Sequence, residues 1–126
     1  MCSMRALLIF FCLLFSKLSP AEEINSTVGP GYEIMTNKFK GNCVACHELP
    51  GRQGITSTFG PSLHGVGARL NQAELKQWIV DARKINPNTL MPPFGSNQGL
   101  TAVVHKNTLL DKEQIQQVLN TMSTWR

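Results

Sequence analysis

Five consecutive residues, Cys43-Val44-Ala45-Cys46-His47, restrict this chain more than any other stretch. Cys-x-x-Cys-His is the attachment motif for a c-type haem. Each thiol adds across one vinyl group of the macrocycle, and the histidine that follows lies below the iron as its proximal ligand. Cysteines three positions apart stand one helical turn apart and present both sulfurs on one face. Two rival readings use the same cysteines. A thioredoxin-like dithiol needs a βαβ context, and no alternating strand pattern flanks the site. A zinc site would have to recruit His64 or His105, which stand 41 residues apart rather than at finger spacing.

At 126 residues the chain is at most one small domain. Charged residues make up 16% and aromatics 7%, so an apolar core alone would be modest. A covalently held haem would supply a large flat apolar body around which a short chain can fold. The N-terminus reads as a processing segment. Met1 to Arg5 gives a short positive start, and Ala6 to Phe15 is an unbroken apolar run. Ser19-Pro20-Ala21 then offers small residues where a signal peptidase reads. Pro20 beside the bond disfavours a cut after Ser19, so the expectation is cleavage after Ala21, with 1–21 as a signal peptide. The run is too short to span a bilayer, and no stable membrane anchor is expected. Export to the periplasm fits c-type haem, which is attached beyond the cytoplasmic membrane.

Removing 1–21 takes away Arg5 and Lys17 and leaves all eight acids, so the formal charge falls from +4 to +2. Two haem propionates would bring it close to zero, and nucleic acid is not an expected partner. Cys2 and Cys12 leave too, so Cys43 and Cys46 face no competing disulfide.

Residues 22–31 read as a flexible leader and 32–126 as one cytochrome domain. From Tyr32 to Cys46 the pattern is helical, with Met35, Phe39, Cys43 and Cys46 on one stripe. Met35 reads as core. Residues 48–60 read as a loop, and the glycine-rich stretch 60–69 shows no periodicity. His64 reads as a surface or packed histidine. Asn71 with Glu74 forms a capping box that opens a second helix. Its stripe is Leu75, Trp78, Ile79 and Ala82, and Arg83 and Lys84 suit its negative end. A third helix opens at Asp111 with Gln114 as box partner, and Leu110 and Ile115 stand at the staple positions. Ile115, Val118, Leu119 and Met122 form its apolar stripe. The fold class is therefore all-α, three main helices and long loops wrapped around one haem.

Met91 is the candidate distal ligand. It stands 44 residues after His47, with Pro87 before it and Pro92-Pro93 after it stiffening the backbone. A thioether favours ferrous iron, and His/Met ligation closes both axial positions, which suits electron transfer. An irregular segment of some 25 residues needs a reason to be ordered, and iron ligation would supply one. His105 is the runner-up.

The order of Cys43 to His47, Gly60-Pro61-Ser62-Leu63-His64-Gly65, the segment Asn86 to Phe94 and a terminal helix resembles the class I cytochromes c. Gly99-Leu100-Thr101-Ala102-Val103 and residues 109–118 make it more narrowly similar to the SoxX family. These are the small mono-haem subunits of the SoxAX complexes of bacterial sulfur oxidation. The resemblance covers roughly residues 38–126. It implies that Pro61 offers its carbonyl to His47, that Arg69 and Thr89 contact the haem propionates, and that Trp78 faces the ring edge. It also implies a heterodimer with a SoxA-like cytochrome subunit. That complex couples thiosulfate oxidatively to a cysteine of a carrier protein and passes electrons to a downstream c-type cytochrome. The chain departs from the pattern in short loops around 48–60 and 94–110.

Three functions compete on the sequence. One is an electron-relay subunit in such a complex, not catalytic alone. Another is a free-standing cytochrome shuttling electrons to an oxidase or reaction centre. Shuttles often carry lysines around the haem edge, and here the lysines are scattered. A haem sensor or peroxidase would need a distal acid–base histidine, and none is convincingly placed.

Overall fold

The computed structural model describes residues 29–52, 57–100 and 107–126. The expected signal peptide, most of the leader, His105 and Thr101 to Val103 lie outside the described residues. Among the described residues four α-helices are present: α1 Pro30–Thr36, α2 Val66–Arg69, α3 Gln72–Asp81 and α4 Lys112–Thr124. Short 3₁₀ turns occupy Cys43–Ala45 and Ala82–Lys84. The described residues are helical with no strand, as expected of an all-α cytochrome c-like fold. No helix among them is long and apolar enough to cross a membrane.

Helix α4 is the longest, and its start follows from its caps. Asp111 accepts from the Gln114 N–H, and the Gln114 side chain accepts from the Asp111 N–H, a reciprocal capping box. Leu110 and Ile115 are both buried at the staple positions. Ile115, Val118, Leu119 and Met122 form the buried stripe. Helix α1 packs across it. A side chain at Gly31 would overlap the Gln117 carbonyl and the Thr121 hydroxyl, so only glycine permits this approach. Ile34 and Met35 are buried in the same core cluster, Met35 completely. The Tyr32 ring meets Trp125 edge-on at 6.4 Å, and its hydroxyl donates to the Pro50 carbonyl at 2.9 Å.

The sequence suggests one helix from Tyr32 to Cys46, and the structure corrects this. The helix starts two residues earlier, at Pro30, and ends at Thr36. Asn37 turns the chain. Its side-chain oxygen accepts from Phe39 N at 2.8 Å, and its carbonyl accepts from Lys40 N and Asn42 N. A short amide side chain that binds the backbone locally competes with helix, and here it wins. Phe39 therefore leaves the stripe and is 85% exposed, with the Lys38 ammonium 4.8 Å from its ring centre. Gly41 N returns to the Ile34 carbonyl at 3.0 Å and hangs the next segment from α1.

Helix α2 has no counterpart in the sequence reading, because four residues are too few to show a period. It forms where Gly67 lies against the end of α4. The Gly67 N–H donates to the Trp125 carbonyl at 2.8 Å, and an added Cβ would stand 2.6 Å from the Met122 carbonyl. Helix α3 opens with the expected box, Asn71 accepting from Ala73 N and Glu74 N, and buries Leu75 and Ile79. Ala82 is buried just beyond it.

Arg83 engages the side chain of the last residue of α3. Its Nε donates to Asp81 Oδ1 at 2.7 Å and its Nη2 to Oδ2 at 2.8 Å, while Nη2 also reaches the Gln98 carbonyl at 2.8 Å. Asp81 is only 3% exposed, while Arg83 stays partly open to solvent. The Arg83 guanidinium holds the Asp81 carboxyl at about 2, below the usual 3.8. A lowered carboxylate pKa stabilises the fold above the unfolded value and stops doing so as pH falls through the folded value. We expect the melting temperature to fall between pH ~4 and pH ~2, and Asp81→Asn to flatten that decline. A decline of equal steepness in the variant would assign the acid sensitivity to other carboxylates.

Candidate functional site

Asn42 adopts a left-handed backbone (φ 45°) and turns the chain into the Cys43–Ala45 turn. The Cys46 and His47 N–H groups both donate to the Cys43 carbonyl, at 3.1 and 2.9 Å. The two thiols thus stand one turn apart, as the motif demands, although the helix before them has ended. Cys43 and Val44 pack against the hydrophobic core, while Cys46 is exposed.

His47 is held by a loop zipped onto its own segment. Gly60 N donates to the Cys46 carbonyl at 2.7 Å, and Leu63 N to the Glu48 carbonyl at 2.9 Å. Between them, His47 Nδ1 lies 2.7 Å from the Pro61 carbonyl. A carbonyl only accepts, so Nδ1 must carry the proton and donate. The lone pair then resides on Nε2, the tautomer a metal-ligating imidazole needs. The ring packs directly on Gly60, where an added Cβ would overlap it. In the sequence Gly60 belongs only to a loop and to the Gly-Pro-Ser-Leu-His-Gly motif; its role as the floor beneath the ring depends on a contact thirteen residues away in sequence.

Arg69 braces that loop from α2. Its Nη1 donates to the His64 carbonyl and its Nη2 to the Ser62 carbonyl at 2.9 Å, the residues flanking Leu63. These bonds leave other donors of its five free. His64 is exposed, as expected, with Nε2 3.8 Å from Glu48 Oε1.

Met91 is half-buried and packs against the same core cluster as Cys43. The Thr89 hydroxyl accepts from Met91 N at 3.2 Å, so Thr89 shapes the turn that carries the methionine. On the far side, Phe94 N and Gly95 N donate to the Ile79 and Val80 carbonyls of α3, both at 3.1 Å. Order in this segment therefore has a source in the chain itself, which the sequence reading had sought in iron. Trp78 stands half-buried on α3 between Leu75 and Ile79.

These residues fit a covalently bound haem. Two thiols lie one turn apart, and beside them an imidazole is fixed by its Nδ1 on the Pro61 carbonyl. Phe59 and Leu90, next in sequence to Gly60 and Met91, are 76% and 81% exposed. They are large apolar side chains left open beside the site residues. The rival readings fare worse. Among the described residues no three His, Cys, Asp or Glu side chains gather as a metal site would require. Burial pushes the Cys43 thiol up to about 12, whereas a reactive dithiol needs a lowered value. One surface depression runs along residues 67–72 beside Arg126 and takes in Arg69, and another lies around Asn97 and Asp111.

Gly60→Ala should tilt the His47 ring off Pro61 and lower unfolding free energy by about 1–3 kcal/mol, the usual cost of overpacking. Urea denaturation checks this. An unchanged midpoint would show that the ring is not seated on Gly60.

No family model matches the chain, and no curated protein matches it by sequence. Among solved structures it is similar to SoxXA from P. pantotrophus, with a TM-score of 0.71 and 28% identity. The match covers 76% of this chain and 79% of that one. The all-α fold and the Cys-x-x-Cys-His spacing agree with this likeness, which supports a SoxX-like cytochrome.

Proposed function

We propose that this chain carries one haem c, attached through Cys43 and Cys46, and relays single electrons within a SoxAX-like complex in the periplasm. The observation that carries the reading is the His47–Pro61 hydrogen bond directly after the paired thiols. It fixes the tautomer that leaves the lone pair on Nε2. When bound, the haem supplies a one-electron ferric/ferrous couple. His47 Nε2 and the Met91 sulfur would hold the iron, Pro61 would orient the imidazole, and Thr89 would set the methionine's turn. Arg69, with donors to spare, and Thr89 would meet the propionates, and Trp78 the ring edge.

Likeness to a SoxXA structure supports a SoxA-like partner. The division of labour follows from chemistry. Joining thiosulfate sulfur to a carrier thiolate forms one sulfur–sulfur bond and releases two electrons, and a thiolate is the attacking species. Here both thiols would be consumed as thioethers and both axial positions closed. This chain therefore accepts the electrons one at a time and passes them to a downstream cytochrome.

Protein exported in a host with haem-attachment machinery should carry one haem that survives acid–acetone extraction. Met91→Ala should abolish the far-red sulfur-to-ferric-iron band and lower the reduction potential. An extractable haem, or a band that survives, defeats the ligand assignment.

The haem-loaded chain alone should cycle between ferric and ferrous forms without consuming thiosulfate and a carrier thiol. Adding a SoxA-like subunit should restore turnover, with this haem becoming reduced during it. Steady thiosulfate consumption by the isolated chain would falsify the relay role, and failure to co-purify with any second haem protein would favour a free-standing shuttle.

A further inference from the structure

The end of α3 is broken in a way that serves the methionine loop. Asp81 leaves helical geometry (φ −160°, ψ 89°), and its Oδ1 accepts from Arg83 N at 3.3 Å. In an uninterrupted helix Arg83 N would bond the Ile79 carbonyl, and Lys84 N the Val80 carbonyl. Those two carbonyls instead accept from Phe94 N and Gly95 N. The guanidinium of Arg83, bidentate on Asp81, also holds the Gln98 carbonyl. Residues 94–98 are thus pinned at three places to the break. Met91 is joined to the pinned segment through Pro92 and Pro93, whose fixed φ angles transmit position with little slack. Phe94 is itself buried, and its carbonyl accepts from Leu110 N at 2.8 Å, which continues the anchorage towards α4.

We propose that Asp81, with Arg83, is a positioning residue for the distal ligand: by breaking α3 it frees two carbonyls that hold the Met91 segment against the iron. The proposal rests on the reading of Met91 as that ligand. Asp81 touches neither haem nor methionine and acts only through the backbone of residues 94–98. Removing its side chain would let α3 run on, and the Ile79 and Val80 carbonyls would be drawn back into the helix. The methionine would then leave the iron more often, and an outside ligand would find the position open.

The test uses the ferric haem-loaded chain and imidazole as the competing ligand. Imidazole binds only when Met91 is off, so its apparent affinity reports the fraction of time the methionine is detached. Asp81→Ala should tighten imidazole binding by about tenfold or more and weaken the far-red band. Amide exchange at Phe94 and Gly95 should quicken in the same variant. Arg83→Gln, a part-exposed change that leaves the break in place, should move both readouts in the same direction by less. Asp81→Asn keeps an acceptor for Arg83 N and should stay within about twofold of the parent. Should Asp81→Ala fail to fold, Arg83→Gln decides. Imidazole affinity unchanged in Asp81→Ala and Arg83→Gln, with the band lost in Met91→Ala, overturns the positioning role alone. A band that persists in Met91→Ala overturns the ligand assignment and this consequence together.

Discussion

The crossing of α1 over α4 is the contact on which the remaining structure depends. A helix of seven residues is too short to persist in water alone, because nucleation is costly and few bonds follow it. α1 survives by burying Ile34 and Met35 in the cluster that contains Ile115, Val118, Leu119 and Met122. Burial of one such side chain contributes roughly 1.5–3 kcal/mol. Gly31 lets the two backbones come close enough for that burial. From this crossing two tethers run to the thiol segment. Gly41 N and Asn42 N bind the Ile34 and Asn37 carbonyls on one side. On the other, Tyr32 holds the Pro50 carbonyl beyond His47. The turn bearing Cys43, Cys46 and His47 is slung between them.

What the sequence makes legible is what local chemistry decides. Both capping boxes, Asn71 with Glu74 and Asp111 with Gln114, form as read, because each is closed within four residues. The stripe of α4 and the burial of Met35 follow from period and hydrophobicity. The Pro61 carbonyl meets His47, as the family resemblance implied. The helix read through to Cys46 fails at Asn37, where a side-chain hydrogen bond competes with a hydrophobic period that runs on regardless. Phe39 has the right spacing for the core and stands in solvent. Helix α2 and the floor beneath His47 were hidden for another reason. Both depend on glycines, Gly67 and Gly60, whose meaning is set by what lies across from them, the end of α4 and an imidazole ring.

The segment around Met91 shows the same limit from another side. Its composition of proline, asparagine and threonine marks it as irregular, and an irregular segment asks what orders it. Iron was the answer available from the sequence. The structure offers hydrogen bonds to a helix that ends early, and the cause of that ending is one carboxylate engaged with Arg83. A lone Asp-x-Arg in a helical stretch reads as an ordinary charged face. Only the return of residues 94–98 to the same place gives it a further role.

The two halves of the site are consequently built by different parts of the fold. His47 is fixed by the loop at 60–64, with Arg69 bracing it from α2. Met91 is fixed through Phe94 and Gly95 by the end of α3. In the proposed reading the chain itself sets where both iron ligands stand, so the metal has little to rearrange when its charge changes by one. A site of that kind is suited to receiving and surrendering single electrons. It is poorly suited to bond-making at the metal, which needs an axial position that opens. Because His47 follows directly on two thioethers in this reading, while Met91 is held only by main-chain bonds from one helix end, the methionine side is the side that yields first under strain. Ligand exchange at this iron would therefore begin at Met91 and leave His47 and the two thioethers in place.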